Sequence, residues 1–208
     1  MSFFDDLPAP PERPRQPKFV VPPWAAPPSD ELPAVVPLGL FLQRSQRMVM
    51  AVKGAEVYST GCVLDLLWTI RRGTESDAEW GSLTERCFNG PSFRYGTPGG
   101  GSGGFRLGVA YPDGRKAAAD EWSYRGIEGA DPGEGPVLTT AGGGGGSGSD
   151  DEVTSSVKFW LWPLPTAGEL RIVAQWADVG MDQESVVVSG DVFASAAERV
   201  QPYWRTPG

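Results

Sequence analysis

The chain has 208 residues, of which 40% are hydrophobic and 11% aromatic, enough to bury one real core. Its formal charge of -8, with a pI near 4.6, repels phosphate backbones and argues against nucleic acid as a partner. The absence of histidine excludes Ser-His-Asp and Cys-His dyads, histidine-ligated zinc and the iron facial triad, and removes the commonest general base.

Residues 1–33 are read as a proline-rich arm, largely extended or disordered. Pro8, Pro10, Pro11, Pro14, Pro17, Pro22, Pro23, Pro27, Pro28 and Pro33 forbid helix and any central strand. Asp5, Asp6 and the repeated prolines stand where a secretory signal would need an apolar run. No later stretch is long and apolar enough to span a bilayer, so a cytoplasmic location away from membranes is expected. The apolar islands at Phe3 and Phe4, at 19–21 and at Trp24 serve no purpose in a purely solvated tail. Residues 19–24 are therefore expected to dock on the domain, with 1–15 mobile.

Residues 34–208 read as a single β-sandwich domain. The first strand is expected over 36–42. The second covers 47–53, with Met48, Met50 and Val52 on one face and an extension over 56–58 beyond a bulge at Gly54. Cys62, Leu64, Leu66, Trp68 and Ile70 make an unbroken apolar face opposite Asp65 and Thr69, which predicts a central strand. Residues 71–104 lack a sustained period and are expected to form a long surface loop containing Cys87. Phe105, Leu107, Val109 and Tyr111 alternate, and Pro112, Asp113 and Gly114 have the chemistry of a turn into a returning strand at 115–118.

A second long loop is expected over 119–156, interrupted by a short strand at 137–139, with the glycine run 142–148 as a flexible spacer. Residues 157–162 are apolar on both faces, which requires cover on each side. Leu170, Ile172, Ala174 and Trp176 form another apolar face, and the turn at 163–168 suggests that these two strands are hairpin neighbours. A strand at 185–188 and a short helix at 191–200 follow, the helix opening with Asp191 and presenting Val192, Phe193, Ala196, Ala197 and Val200 on one side. About eight short strands and almost no helix favour two packed antiparallel sheets. The expected topology is immunoglobulin-like, with a jelly roll as the alternative, although the Cys, Trp, Cys spacing of true immunoglobulin domains is missing.

Residues 58–61, 113–115, the run Trp160, Leu161, Trp162, Pro163, Leu164, Pro165 and the closing 202–204 resemble an uncharacterised family of actinobacterial proteins. The resemblance runs over most of the chain. It implies a shared fold and transfers neither an activity nor a site.

No catalytic constellation stands out. Gly99, Gly101 and Gly104 satisfy GxGxxG, yet a strand follows instead of a helix, so no helix N-terminus is available for a pyrophosphate. Gly100, Ser102 and Gly104 match GxSxG without its strand-to-helix turn or its base. Ser155 and Lys158 match SxxK in a strand, where they do not share a face. Asp65, Glu169 and Asp178 are the carboxylates available for glycosidase-type chemistry, and ordinary exposed carboxylates are the stronger reading. Asp150, Asp151 and Glu152 lack the ligand spacing of a calcium loop. The pairs Arg71 with Arg72 and Arg115 with Lys116 read as solvated strand ends. Cys62 and Cys87 are too few for a disulfide framework or a zinc site, and a bridge between them is not favoured.

Trp24, Trp160 and Trp162 are the candidate binding residues. Trp160 and Trp162 share the face opposite Phe159 and Leu161, which is either covered by the arm or the C-terminal helix or open as a binding surface. With no cofactor or metal implied, the leading expectation is a non-enzymatic protein-binding or scaffold module, its partner reached through the arm or the tryptophan face. A carbohydrate-binding or carboxylate-dependent carbohydrate-acting domain, and a structural subunit of a larger assembly, are the alternatives.

Overall fold

The structure is a computed structural model and describes residues 20–88, 104–119, 135–142 and 144–204. The motif matches at 99–104 thus lie largely outside the described residues, as does the stretch expected to be mobile at 1–15.

The strands follow from the apolar periodicity. β1 (Glu31–Leu32) and β2 (Ala34–Arg44) lead into β3 (Met48–Val57) and β4 (Cys62–Arg71). The helix α1 (Asp77–Phe88) comes next, then β5 (Phe105–Ala110), β6 (Lys116–Ala118), β7 (Val137–Gly142) and β8 (Gly146–Gly148). β9 (Glu152–Trp162), β10 (Glu169–Trp176), β11 (Met181–Ser189), the helix α2 (Gly190–Ala197) and β12 (Gln201–Pro202) complete the order. All strand pairs are antiparallel.

One sheet runs β2, β3, β4, β9, β7, with β8 also paired to β9; a second runs β11, β10, β5, β6. β7 and β8 share the far edge of β9 in tandem, β7 along residues 158–162 and β8 along 153–155. The two sheets pack face to face through one core. Leu64, Leu66, Trp68 and Ile70 of β4 belong to the same buried cluster as Leu107 and Val109 of β5 and as Leu170, Ile172 and Trp176 of β10. Trp68 meets Trp176 edge to face at 5.5 Å between centroids, and Phe105 reaches Phe159 across the sheets at 6.5 Å.

Several expectations match these elements. β4 is central and its predicted face is fully buried. The register between β3 and β4 shifts between Val52 and Gly54, which is the bulge expected there. The turn between β5 and β6 closes with Gly114 at φ +89, Gly114 N–H bonding to the Tyr111 carbonyl at 3.0 Å. α2 is capped by Ser189, whose hydroxyl accepts from the Asp191 N–H, and buries Phe193 and Ala196.

Other expectations are corrected. The loop expected over 71–104 contains α1, started by a capping box in which Ser76 N–H and hydroxyl both donate to Glu79 at 2.8 Å. Cys87 is therefore not a loop residue: with Trp80 and Leu83 it forms the buried stripe of that helix. The glycine run is not a free spacer, since Gly146–Gly148 pairs with β9 beneath α1. A Cβ at Gly146 would lie 2.7 Å from both the Phe88 ring and the Thr154 carbonyl, so the close approach requires glycine. β9 and β10 are not hairpin neighbours and belong to different sheets. The reason is that both edges of β9 are already taken, one by β4 and the other by β7 and β8. The intervening segment crosses between the layers, held where Tyr111 donates its hydroxyl to the Pro163 carbonyl at 2.5 Å and Leu164 N–H bonds to Thr60 at 2.9 Å.

The strand order also differs from the immunoglobulin arrangement expected above. β2, β3 and β4 lie side by side in one sheet, where an immunoglobulin domain sends its third strand to the opposite sheet.

Candidate functional site

Alternation along β9 sends Val157, Phe159 and Leu161 into the core and Lys158, Trp160 and Trp162 to the outer face of the larger sheet. Trp160 is nevertheless 0% exposed while standing outside the main core cluster. Its cross-strand partners are Val63 of β4 and Thr139 of β7, both buried. Tyr58 meets its ring edge to face at 5.8 Å. At Gly61 a Cβ would sit 2.5 Å from the indole, so the bare glycine backbone forms one wall.

The remaining cover is the described part of the leading segment. Trp160 Nε1 donates to the carbonyl of Pro23 at 3.1 Å. A turn closes above it, with Ala25 N–H bonding to the Pro22 carbonyl at 2.9 Å, and Pro22 and the run 24–28 are half-buried. An indole has only a donor to offer, and burying it unpaired is costly, so a proline carbonyl is a fitting complement.

The segment is then tied down a second time. β1 pairs with β12, and Tyr203 N–H bonds to the Asp30 carbonyl at 2.7 Å. The Glu31 carboxylate accepts from Ser59 N–H at 2.9 Å and from Ser59 Oγ at 2.5 Å. Burial, followed by the negative charge of Glu56 and the proximity of Tyr203 and Glu31, pushes the Tyr58 phenol up, so it stays a neutral wall of the site.

Of the three residues singled out from the sequence, Trp160 lies under the segment that precedes β1, and Trp24 is half-buried within that segment beside Pro23. Trp162 is half-buried further along β9, where its ring lies against Gly135. For Trp160 the outer face is covered by the segment that precedes β1 and is not open. Tyr58, Val63, Gly61 and the Glu31–Ser59 clasp were not anticipated. Val63 and Leu67, two apolar residues on the face of β4 opposite its core, were the available signal.

The acidic candidates are not brought together as a catalytic pair. Asp65 lies on the larger sheet, paired with Lys53 at 2.8 Å, beside the Lys158–Glu56 pair at 2.5 Å. The hydrogen bond to Glu56 raises the Lys158 ammonium above its ordinary range. Glu169 and Asp178 flank β10, whose eight residues alone span about 23 Å, whereas paired glycosidase carboxylates stand about 5–10 Å apart. Ser155 is buried in the core and Lys158 faces outward. Among the described residues, no group of three or more Cys, Asp or Glu is placed to hold a metal ion, and no helix is long and apolar enough to cross a membrane.

No model of a known protein family matches the chain, and a search of the curated proteins finds no match.

Proposed function

We propose that this protein is a non-enzymatic protein-binding module that works in the cytoplasm, engaging its partner through the proline-rich leading segment and the tryptophan face beneath it. Membership of the uncharacterised actinobacterial family is part of the same proposal. The observation that carries the reading is the Trp160 to Pro23 contact: an aromatic face on the outside of a sheet holds a proline-containing turn by its backbone carbonyl. Its neighbours support it, since Leu32 (51% exposed), Tyr203 (52%) and Trp204 (78%) leave apolar surface beside the same segment. The carbohydrate reading needs open indoles and a carboxylate pair, and it draws no support from a buried Trp160 or from Asp65 paired with Lys53.

The test is affinity capture with the full chain and with a variant in which Pro22, Pro23 and Trp24 are all replaced by serine. Quantitative mass spectrometry of the captured proteins is expected to show partners whose recovery depends on those three residues. An identical set from both baits would overturn the reading.

A further inference from the structure

Trp160 is buried without belonging to the sandwich core. Its pocket is made by Tyr58, Gly61, Val63 and Thr139, and its lid is residues 22–28. An ordinary core indole would be enclosed by the strands themselves. Here the enclosing element is a proline-bearing strap that includes no strand until Glu31, and the hydrogen bond recorded between the strap and Trp160 is the one to Pro23.

The recognition chemistry is that of a proline-bearing turn. Ala25 N–H closes the turn on the Pro22 carbonyl at 2.9 Å, which leaves the Pro23 carbonyl to the indole donor, and the fixed φ of the two prolines lowers the entropy lost on docking. The sequence holds further proline pairs of the same kind at Pro10–Pro11 and Pro27–Pro28. Tethering gives the strap an effective concentration on the order of millimolar at its own pocket, so it competes with any ligand free in solution.

We infer that the Trp160 pocket is a receptor for proline-rich segments of another protein, and that residues 22–28 are its resident intramolecular occupant, a strap that must lift before the partner binds. This rests on the binding-module reading and adds to it the ligand class and the regulation of the site. A second copy of the chain is disfavoured as the occupant, because two molecules of charge -8 repel each other.

The probe is a fluorescently labelled peptide with the sequence of residues 20–28, followed by anisotropy. The full-length chain carrying P22S, P23S and W24S, with an empty pocket, is expected to bind it at least about 10-fold more tightly than the unaltered chain, as removal of a tethered competitor demands. Adding W160F to that variant keeps an aromatic ring but deletes the N–H donor and part of the contact surface, and is expected to weaken binding at least about 3- to 10-fold, the loss of one neutral hydrogen bond. Near-UV circular dichroism establishes that both variants are folded.

If the strap variant does not fold, hydrogen exchange of residues 24–32 in the unaltered chain replaces it, with exchange expected to rise as unlabelled peptide is added to about 1 mM. A folded strap variant that ignores the peptide overturns the inference, as does exchange that the peptide leaves unchanged. Concentration-dependent dimers of the unaltered chain in light scattering also overturn it, in favour of exchange between copies. Peptide binding combined with an unchanged capture set would instead sink the module reading while leaving the pocket assignment standing.

Discussion

Cys62 and Cys87 sit in the interior as free thiols, and burial pushes Cys62 up and Cys87 to about 12. The nucleophilic thiolate is therefore scarce at neutral pH and shielded as well. A chromogenic thiol reagent at about pH 8 is expected to find both unreactive in the native chain and both reactive once denaturant is added. The buried indoles offer a second contrast. Trp80 donates to the Ser149 carbonyl at 3.0 Å, whereas Trp68 has no partner for its N–H among the described residues although it is 0% exposed. Trp68→Phe removes an unpaired donor along with some packing, whereas Trp80→Phe gives up the hydrogen bond to the exposed Ser149. The lost hydrogen bond is expected to cost Trp80→Phe about 0.5–1.5 kcal/mol in urea unfolding.

α1 and β8 support each other, because Phe88 of the helix rests on Gly146 and Gly148. Gly146→Ala drives a Cβ toward the Thr154 carbonyl and is expected to destabilise by about 1–3 kcal/mol. Gly145→Ala, one residue earlier, meets nothing within 4 Å and is expected to be neutral or stabilising by up to about 1 kcal/mol, through the unfolded chain. Melting temperatures of the two variants separate a packed strand from a free spacer.

The start of α1 also carries a pH signature. Hydrogen bonds from Ser76 hold the Glu79 carboxyl below its ordinary value, and hydrogen bonds from the backbone, with Arg47 beside it, do the same for Glu75. Folded-state values below the unfolded ones mean that this stability is complete above about pH 4.5 and disappears as pH falls through the folded values. Glu79→Gln is therefore expected to melt lower than the parent at about pH 6 and to converge with it in acid. The helix was legible in part: Ser76 and Glu79 have capping-box spacing, and Trp80, Leu83 and Cys87 recur at helical intervals. A single buried stripe three turns long, flanked by glycine and charge, was outweighed by the irregular composition of the surrounding thirty-odd residues.

The two sheets stabilise the molecule through one shared interior, and protection is expected to follow depth within it. β4 lies between β3 and β9 with its inner residues at 0% exposure, while β6 and β12 are short and largely exposed. Amide exchange of the intact chain is expected to be slowest in β4 and β9 and fast in β6 and β12; rapid exchange across β4 would contradict a shared core.

The direction in which residues point is legible in the chain alone. The unbroken apolar face over 62–70, the alternation over 105–111 and the turn chemistry of Pro112, Asp113 and Gly114 required particular strands and one hairpin whatever surrounded them. Strand partners, by contrast, depend on packing between distant segments. A strand's edge offers the same N–H and C=O groups whatever its side chains are, so nothing in 157–162 stated that its edges would be filled by β4, β7 and β8 and denied to β10. The same holds for Trp160: its place on an outer face could be read from periodicity, but its burial depended on a proline segment 137 residues away in the chain folding back to meet its indole N–H.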